Sequence, residues 1–358
     1  MDFVRLNPML VIDRDILLSK CLMENKMECV DERSVVALFT TESIKKIWTT
    51  NTSHGENDYR EVIFALLESG NKIVVKVAAN SFTTNERIRM WQRCAEEYAR
   101  QGYYCPKILS SANGIFPFVF YKGITCIAYA EEYSKYISAN QCKNVKPFRE
   151  ELYVMTAKIA REKYDYTTLP SGYCLFDLFP GDEVDEVTEN ANEFRNYCKS
   201  LPELFHKQAE RMFIRWEENR EALKKVYFDL PFSVYQADFN DTNVLVNENG
   251  NFVGICDFNL SGKDEFLNYL FREIFTGSFD DELKEILKAL RIVSKIYTFS
   301  EEEIEAAPLI YRCVKPLWYT RVEALKSFGS DYDKIQTCLN EMENAQIKEI
   351  DFRKAMQR

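Results

Sequence analysis

Histidine is almost missing from this chain: 358 residues contain only His54 and His206, too few for a histidine-based metal site. Cysteine is present eleven times, an odd number with no Cys-x-x-Cys spacing, which excludes a zinc ribbon and a disulfide framework. No apolar run approaches the roughly 20 residues a membrane helix needs, so no membrane partner is expected. Cationic excess is lacking too. Lys and Arg number 46 against 56 Asp and Glu, a formal net charge of −10, whereas a nucleic-acid partner calls for surplus positive charge. Near the start, Asp13, Arg14 and Asp15 follow a short apolar run at Met9–Ile12. That pattern fits no signal peptide. The expected compartment is the cytoplasm, where scattered thiols stay reduced. Internal repeats and low-complexity segments are absent, and nothing indicates an oligomeric state.

What the chain does have is length and apolar content. Hydrophobic residues make up 46% of it, enough to bury a large core in two or three domain-sized units or in one two-lobed enzyme.

The most informative stretch runs from Tyr235 to Asn259. Asp238 precedes Asn243 by five positions, and Asp257 follows fourteen later. Between the last two lie an apolar run, Val244–Val246, a turn cluster from Asn247 to Asn251 around Gly250, and a second apolar run, Phe252–Cys256. This is a β-hairpin pattern. A hairpin brings its ends together, so Asn243 and Asp257 should sit side by side. Each offers an oxygen of the kind a hard divalent cation takes. Asp238, on the incoming loop, is left to accept a proton. Asp and Asn are also ordinary turn residues; the hairpin followed directly by a second Asp is the restrictive feature.

Upstream, three strands in succession are expected over 43–50, Tyr59–Leu67 and Ile73–Val77, joined by a polar turn with Gly55 and by Ser69-Gly70-Asn71. They form a small antiparallel sheet. Lys76 lies inside the third. A helix capped by Thr84 or Asn85 runs to about Gln101, with Ile88, Trp91, Ala95 and Tyr98 on one face. Further strands fall near 106–109, 116–121 and 125–130. Beyond Tyr136 the chain reads as helical at 147–163, 202–226, 264–276, 280–296, 301–326 and 330–356. Residues 165–200 read as irregular and acidic, with Asp177, Asp182, Glu183, Asp185 and Glu186.

The stretch around Asp238 resembles the catalytic loop and metal-binding segment of kinase-like phosphotransferases, most closely the aminoglycoside phosphotransferase and choline kinase group. Members usually read His-Gly-Asp where this chain reads Gln236-Ala237-Asp238, and often place Phe-Gly where it has Phe258-Asn259. The resemblance covers about residues 40–275. It implies an α+β, two-lobed protein-kinase-like fold: a small antiparallel-sheet N-lobe over 1–132 and a larger helical C-lobe over 133–358. It implies ATP and Mg²⁺ as cofactors and a small molecule bearing a hydroxyl as substrate. Asp238 would be the catalytic base, Asn243 and Asp257 the metal ligands, and Lys76 the contact to the nucleotide phosphates. The backbone at Glu131–Tyr133 would meet adenine, and Ser53 in the first turn is a candidate phosphate contact.

The usual helix-borne partner for such a lysine stays open among Glu86, Gln92 and Glu96. Gln236 can hydrogen-bond as the usual His does, so catalysis is expected to survive the exchange. The acidic residues at 177–186 lie where related enzymes take their acceptor and would attract a cation; a solvated acidic loop is the plain alternative. The chain lacks the His-Arg-Asp, glycine-rich loop and Ala-Pro-Glu segments of protein kinases, and little chain separates Asp257 from the next helix. A kinase-like nucleotide-binding protein with weak or no turnover is the alternative function.

Overall fold

The computed structural model describes residues 28–55 and 57–357. The apolar run at 9–12 and the helix expected from Asp13 lie outside them. Two compact units emerge. The first comprises described residues up to Asn85 together with Ile108–Tyr133, and the second Glu86–Lys107 together with Ser134 onward.

In the first unit a short helix, α1 (Glu32–Ala37), is capped by the Asp31 side chain, which accepts the Ser34 N–H. It is followed by β1 (Ile44–Asn51), β2 (Tyr59–Leu67) and β3 (Lys72–Ala79). These are the three strands read from the sequence. The α2 helix (Asn85–Arg100), which belongs to the second unit, separates them from β4 (Ile108–Leu109), β5 (Phe118–Tyr121) and β6 (Ile124–Glu132). All pairings are antiparallel, in the order β1-β2-β3-β6-β4, with β5 on β6. Strand periodicity explains the core: Ile63, Ala65 and Leu67, Ile73, Val75 and Val77, and Cys126, Ala128 and Ala130 share one face with Val35 and Val36 of α1. Lys76, one position out of phase, lies on the other face. The Ser53 hydroxyl closes the first hairpin by accepting the Arg60 N–H at 2.9 Å and donating to the Arg60 carbonyl at 3.2 Å.

The second unit is mainly helical. Its helices after α2 are α3 (Arg149–Glu162), α4 (Glu186–Ser200), α5 (Glu203–Tyr227), α6 (Phe266–Arg272), α7 (Phe279–Val293), α8 (Glu301–Val314), α9 (Tyr319–Ser327), α10 (Tyr332–Ile347) and α11 (Arg353–Met356). Two small sheets accompany them: β7 (Ile137–Ser138) on β9 (Val244–Val246) on β10 (Phe252–Ile255), and β8 (Phe232–Tyr235) on β11 (Gly262–Glu265). The segment read as irregular over 165–200 contains the fifteen-residue α4, started by Asp185, whose carboxylate accepts the Thr188 N–H. The single helix expected over 301–326 is two. Pro316, which has no N–H to donate and restricts the residue before it, falls in the break between α8 and α9. Among the described residues no helix is long and apolar enough to cross a membrane, and every cysteine is a free thiol.

Candidate active site

The β9–β10 hairpin builds the site. Val244, Leu245 and Val246 are all buried, so this strand is anchored on both faces. Its turn is fixed by Asn247, whose side-chain oxygen accepts the N–H groups of Asn249 at 3.0 Å and Asn251 at 3.1 Å. Gly254 in β10 is required by a close approach. A Cβ there would lie 1.8 Å from the Tyr104 carbonyl oxygen, which accepts the Ile255 N–H at 3.0 Å. The register pairs Val244 with Ile255. One step outside it, the Cys256 N–H donates to the Asn243 carbonyl at 2.8 Å. The hairpin therefore joins Asn243 to the residue before Asp257, as its ends require.

The loop leaving β8 brings in Asp238. Ala237 and Asp257 both have left-handed backbone, with φ of 75° and 57°, a conformation that costs a non-glycine residue energy and is held only by its surroundings. Gln236, fully buried, supplies much of that hold. Its Nε2 donates to the carbonyls of Cys256 at 3.1 Å and Asp257 at 2.5 Å, while its Oε1 accepts the Asp238 N–H at 2.7 Å. Its own N–H donates to the Tyr98 hydroxyl at 3.3 Å, and the Tyr98 ring meets Phe258 edge-on at 6.1 Å. A single amide thus fixes both the Asp238 loop and the Asp257 backbone.

The Asp238 carboxylate is clamped by two side-chain amides. Asn240 Nδ2 donates to Oδ1 at 2.8 Å and to Oδ2 at 3.0 Å, and Asn243 Nδ2 donates to Oδ2 at 2.9 Å. Burial raises the Asp238 pKa and the Asp257 charge adds to it, while the donors from Asn240 and Asn243 offset part of the rise. With its nitrogen on Asp238, Asn243 leaves Oδ1 as the atom a cation would take; the Thr242 hydroxyl reaches it only at 3.3 Å. Among the described residues no group of three or more His, Cys, Asp or Glu could hold a metal by itself. One amide oxygen and one carboxylate suit Mg²⁺ completed by substrate phosphates and water, since that ion usually takes few protein ligands.

Several residues around Asp238 carried no signal in the sequence. Glu273, at the end of α6, is pushed up to about 7 by burial and by the Asp238 charge. Tyr173 also feels the Asp238 charge, and the Arg272 guanidinium lies 4.1 Å from the Tyr173 ring and 4.7 Å from that of Trp318. Such contacts join segments far apart in the chain and leave no local pattern. The acidic stretch is partly spent on structure: Asp185 pairs with Arg220 and Glu186 with Arg272, while Asp177, Asp182 and Glu183 are exposed.

In the first unit, Lys76 Nζ meets Glu131 Oε1 at 2.8 Å and lies 5.9 Å from the Tyr129 ring. Of the α2 candidates, Glu96 faces Arg100 at 3.8 Å and is exposed, and Glu86 occupies the first turn. On the sheet face that carries Lys76, Trp48 stacks on Phe64 at 5.5 Å, Tyr133 meets Phe64 edge-on at 6.5 Å, and Lys72 lies 4.5 Å from the Tyr133 ring.

No protein-family model and no curated protein sequence matches the chain. Solved structures do, among them aminoglycoside phosphotransferases and related small-molecule kinases. An amicoumacin kinase in complex with AMP-PNP, Ca²⁺ and Ami superposes with a TM-score of 0.53 at 14% identity, covering 91% of this chain and 97% of that one. A microcompartment-associated aminopropanol kinase gives 0.53 at 10% identity, covering 91% and 98%. An aminoglycoside phosphotransferase from Alicyclobacillus acidocaldarius gives 0.49 at 13% identity, covering 92% and 95%. The chain has the two-lobed, protein-kinase-like fold of the first two: an antiparallel-sheet N-terminal part and a helical C-terminal part.

Proposed function

We propose that the protein is an ATP- and Mg²⁺-dependent phosphotransferase that acts on a hydroxyl of a small molecule. The observation that carries this is the junction of Asp238, Asn243 and Asp257, with the Asp238 carboxylate oriented by amide donors. Asp238 would take the proton of the acceptor hydroxyl as its oxygen attacks the terminal phosphoryl group. Asn240 and Asn243 hold the carboxylate at one orientation, which shortens the search for a productive geometry. Asn243 Oδ1 and the Asp257 carboxylate would hold Mg²⁺, and Lys76 would contact the nucleotide phosphates. A bound Mg²⁺ supplies neutralisation of charge on those phosphates. The names of the amicoumacin and aminopropanol kinases support a small acceptor. Exposed Asp177, Asp182 and Glu183 favour a cationic one.

Thermal unfolding tests the metal assignment. ATP should raise the melting temperature by several degrees with Mg²⁺ and far less without it. Asp257→Ala should abolish the magnesium-dependent part. A mutant that keeps that part undiminished would show that the metal binds elsewhere.

A further inference from the structure

We infer that Thr242 is a positioning residue for Asp238, acting through the Asn240 side chain; this rests on the reading of Asp238 as the base. The Thr242 N–H donates to Asn240 Oδ1 at 2.9 Å, and the Thr242 hydroxyl donates to the same oxygen. At the other end of that amide, Nδ2 donates to Asp238 Oδ1 at 2.8 Å and to Oδ2 at 3.0 Å. A backbone N–H can only donate and an ionised carboxylate can only accept, so the amide between them has one orientation. Turned over, it would set its oxygen against the carboxylate, acceptor facing acceptor, and its NH₂ group against the Thr242 N–H.

Asn240 and Thr242 are both exposed, where water competes for every donor and acceptor. Two donors from one residue keep the Asn240 oxygen in place against that competition. The consequence falls on Asp238. Of its two carboxylate oxygens, Asn243 Nδ2 donates to Oδ2 alone, and a carboxylate held at one oxygen can pivot about that contact. Asn240 Nδ2 spans both oxygens and removes the pivot. Thr242 thus orients the base without touching it, and every link of the relay lies within residues 238–242.

Two measurements on the full chain test this. The first needs no acceptor: solvent exchange of the Asn240 side-chain NH₂ protons, read by ¹⁵N–¹H NMR and assigned by their loss in Asn240→Asp. Thr242→Val, which keeps the N–H and removes the hydroxyl, should speed that exchange several-fold, and Thr242→Ser should recover most of the difference. Unchanged exchange in Thr242→Val overturns the link to Asn240. The second is steady-state turnover of the panel alcohol that wild type phosphorylates fastest, beside Mg-ATP affinity by calorimetry. Thr242→Val should lower kcat about 3- to 10-fold with Mg-ATP affinity unchanged, and adding it to Asp238→Asn should cost nothing further, because the threonine acts through the aspartate. An unchanged kcat, a loss of Mg-ATP affinity, or a full additional loss on the Asp238→Asn background overturns the role of Thr242 and leaves Asp238 in place. Near-normal turnover in Asp238→Asn, or no turnover by wild type, overturns the base reading and this inference with it.

Discussion

At the scale of single residues, Gln236 does the most with the least. Three side-chain hydrogen bonds run between it and the backbone of Asp238, Cys256 and Asp257, so it ties the Asp238 loop to the segment that carries Asp257. It stands where the phosphotransferases that this stretch resembles usually have His. A ring nitrogen and a primary amide share the ability to donate to a carbonyl, which is why the exchange leaves the loop in place. Gln236→Ala should remove three hydrogen bonds made by a fully buried side chain and cost about 2–4 kcal/mol of stability. Gln236→His should recover a large part of that loss, and urea unfolding of the two variants would check it. If Ala proves as stable as wild type, Gln236 is not the link between the two segments.

At the scale of elements, legibility followed locality. The β9–β10 hairpin, β1 to β3 and α2 were readable because alternation, turn residues and apolar periodicity are all short-range. The α4 helix was not, because Asp185 and Glu186 resemble a solvated acidic run until Asp185 is seen capping the helix and pairing with Arg220. Residues that act by joining distant elements were equally hidden. Asp264 in β11 is an example: it is fully buried and accepts from the Ser171 hydroxyl at 2.6 Å, the Tyr227 hydroxyl at 3.1 Å, Asn268 Nδ2 at 2.9 Å and the Glu265 N–H at 2.7 Å. Burial pushes it from 3.8 up to about 6 despite these donors. Between those values the folded chain keeps a proton that the unfolded chain has released, so this group's contribution to stability is lost as pH rises through about 6. Asp264→Asn cannot titrate. Its stability relative to wild type should therefore improve by about 2 kcal/mol between pH 4.5 and 7, read from denaturant melts at both values. A pH-independent difference would place the Asp264 pKa near its ordinary value.

At the scale of the whole molecule, the fold was legible because its two parts differ in their apolar pattern, alternating in the first and helical in the second. An antiparallel-sheet N-terminal part followed by a helical remainder is written in the strand and helix patterns, and solved structures with 10% and 14% identity share that arrangement. The acceptor surroundings were less readable. The acidic stretch at 177–186 suggested attraction for a cation, yet two of its carboxylates pair with Arg220 and Arg272, contacts that only the folded chain reveals. The most direct test of the central claim is phosphoryl transfer from ATP to a panel of cationic, neutral and anionic small alcohols, run with wild type and Asp238→Asn. Wild type should phosphorylate at least one alcohol in the presence of Mg²⁺. Asp238→Asn should bind Mg-ATP as wild type does and turn the same alcohol over about 10² to 10⁴ times more slowly. A wild type that binds Mg-ATP but phosphorylates nothing, or a mutant with near-normal turnover, would contradict the account.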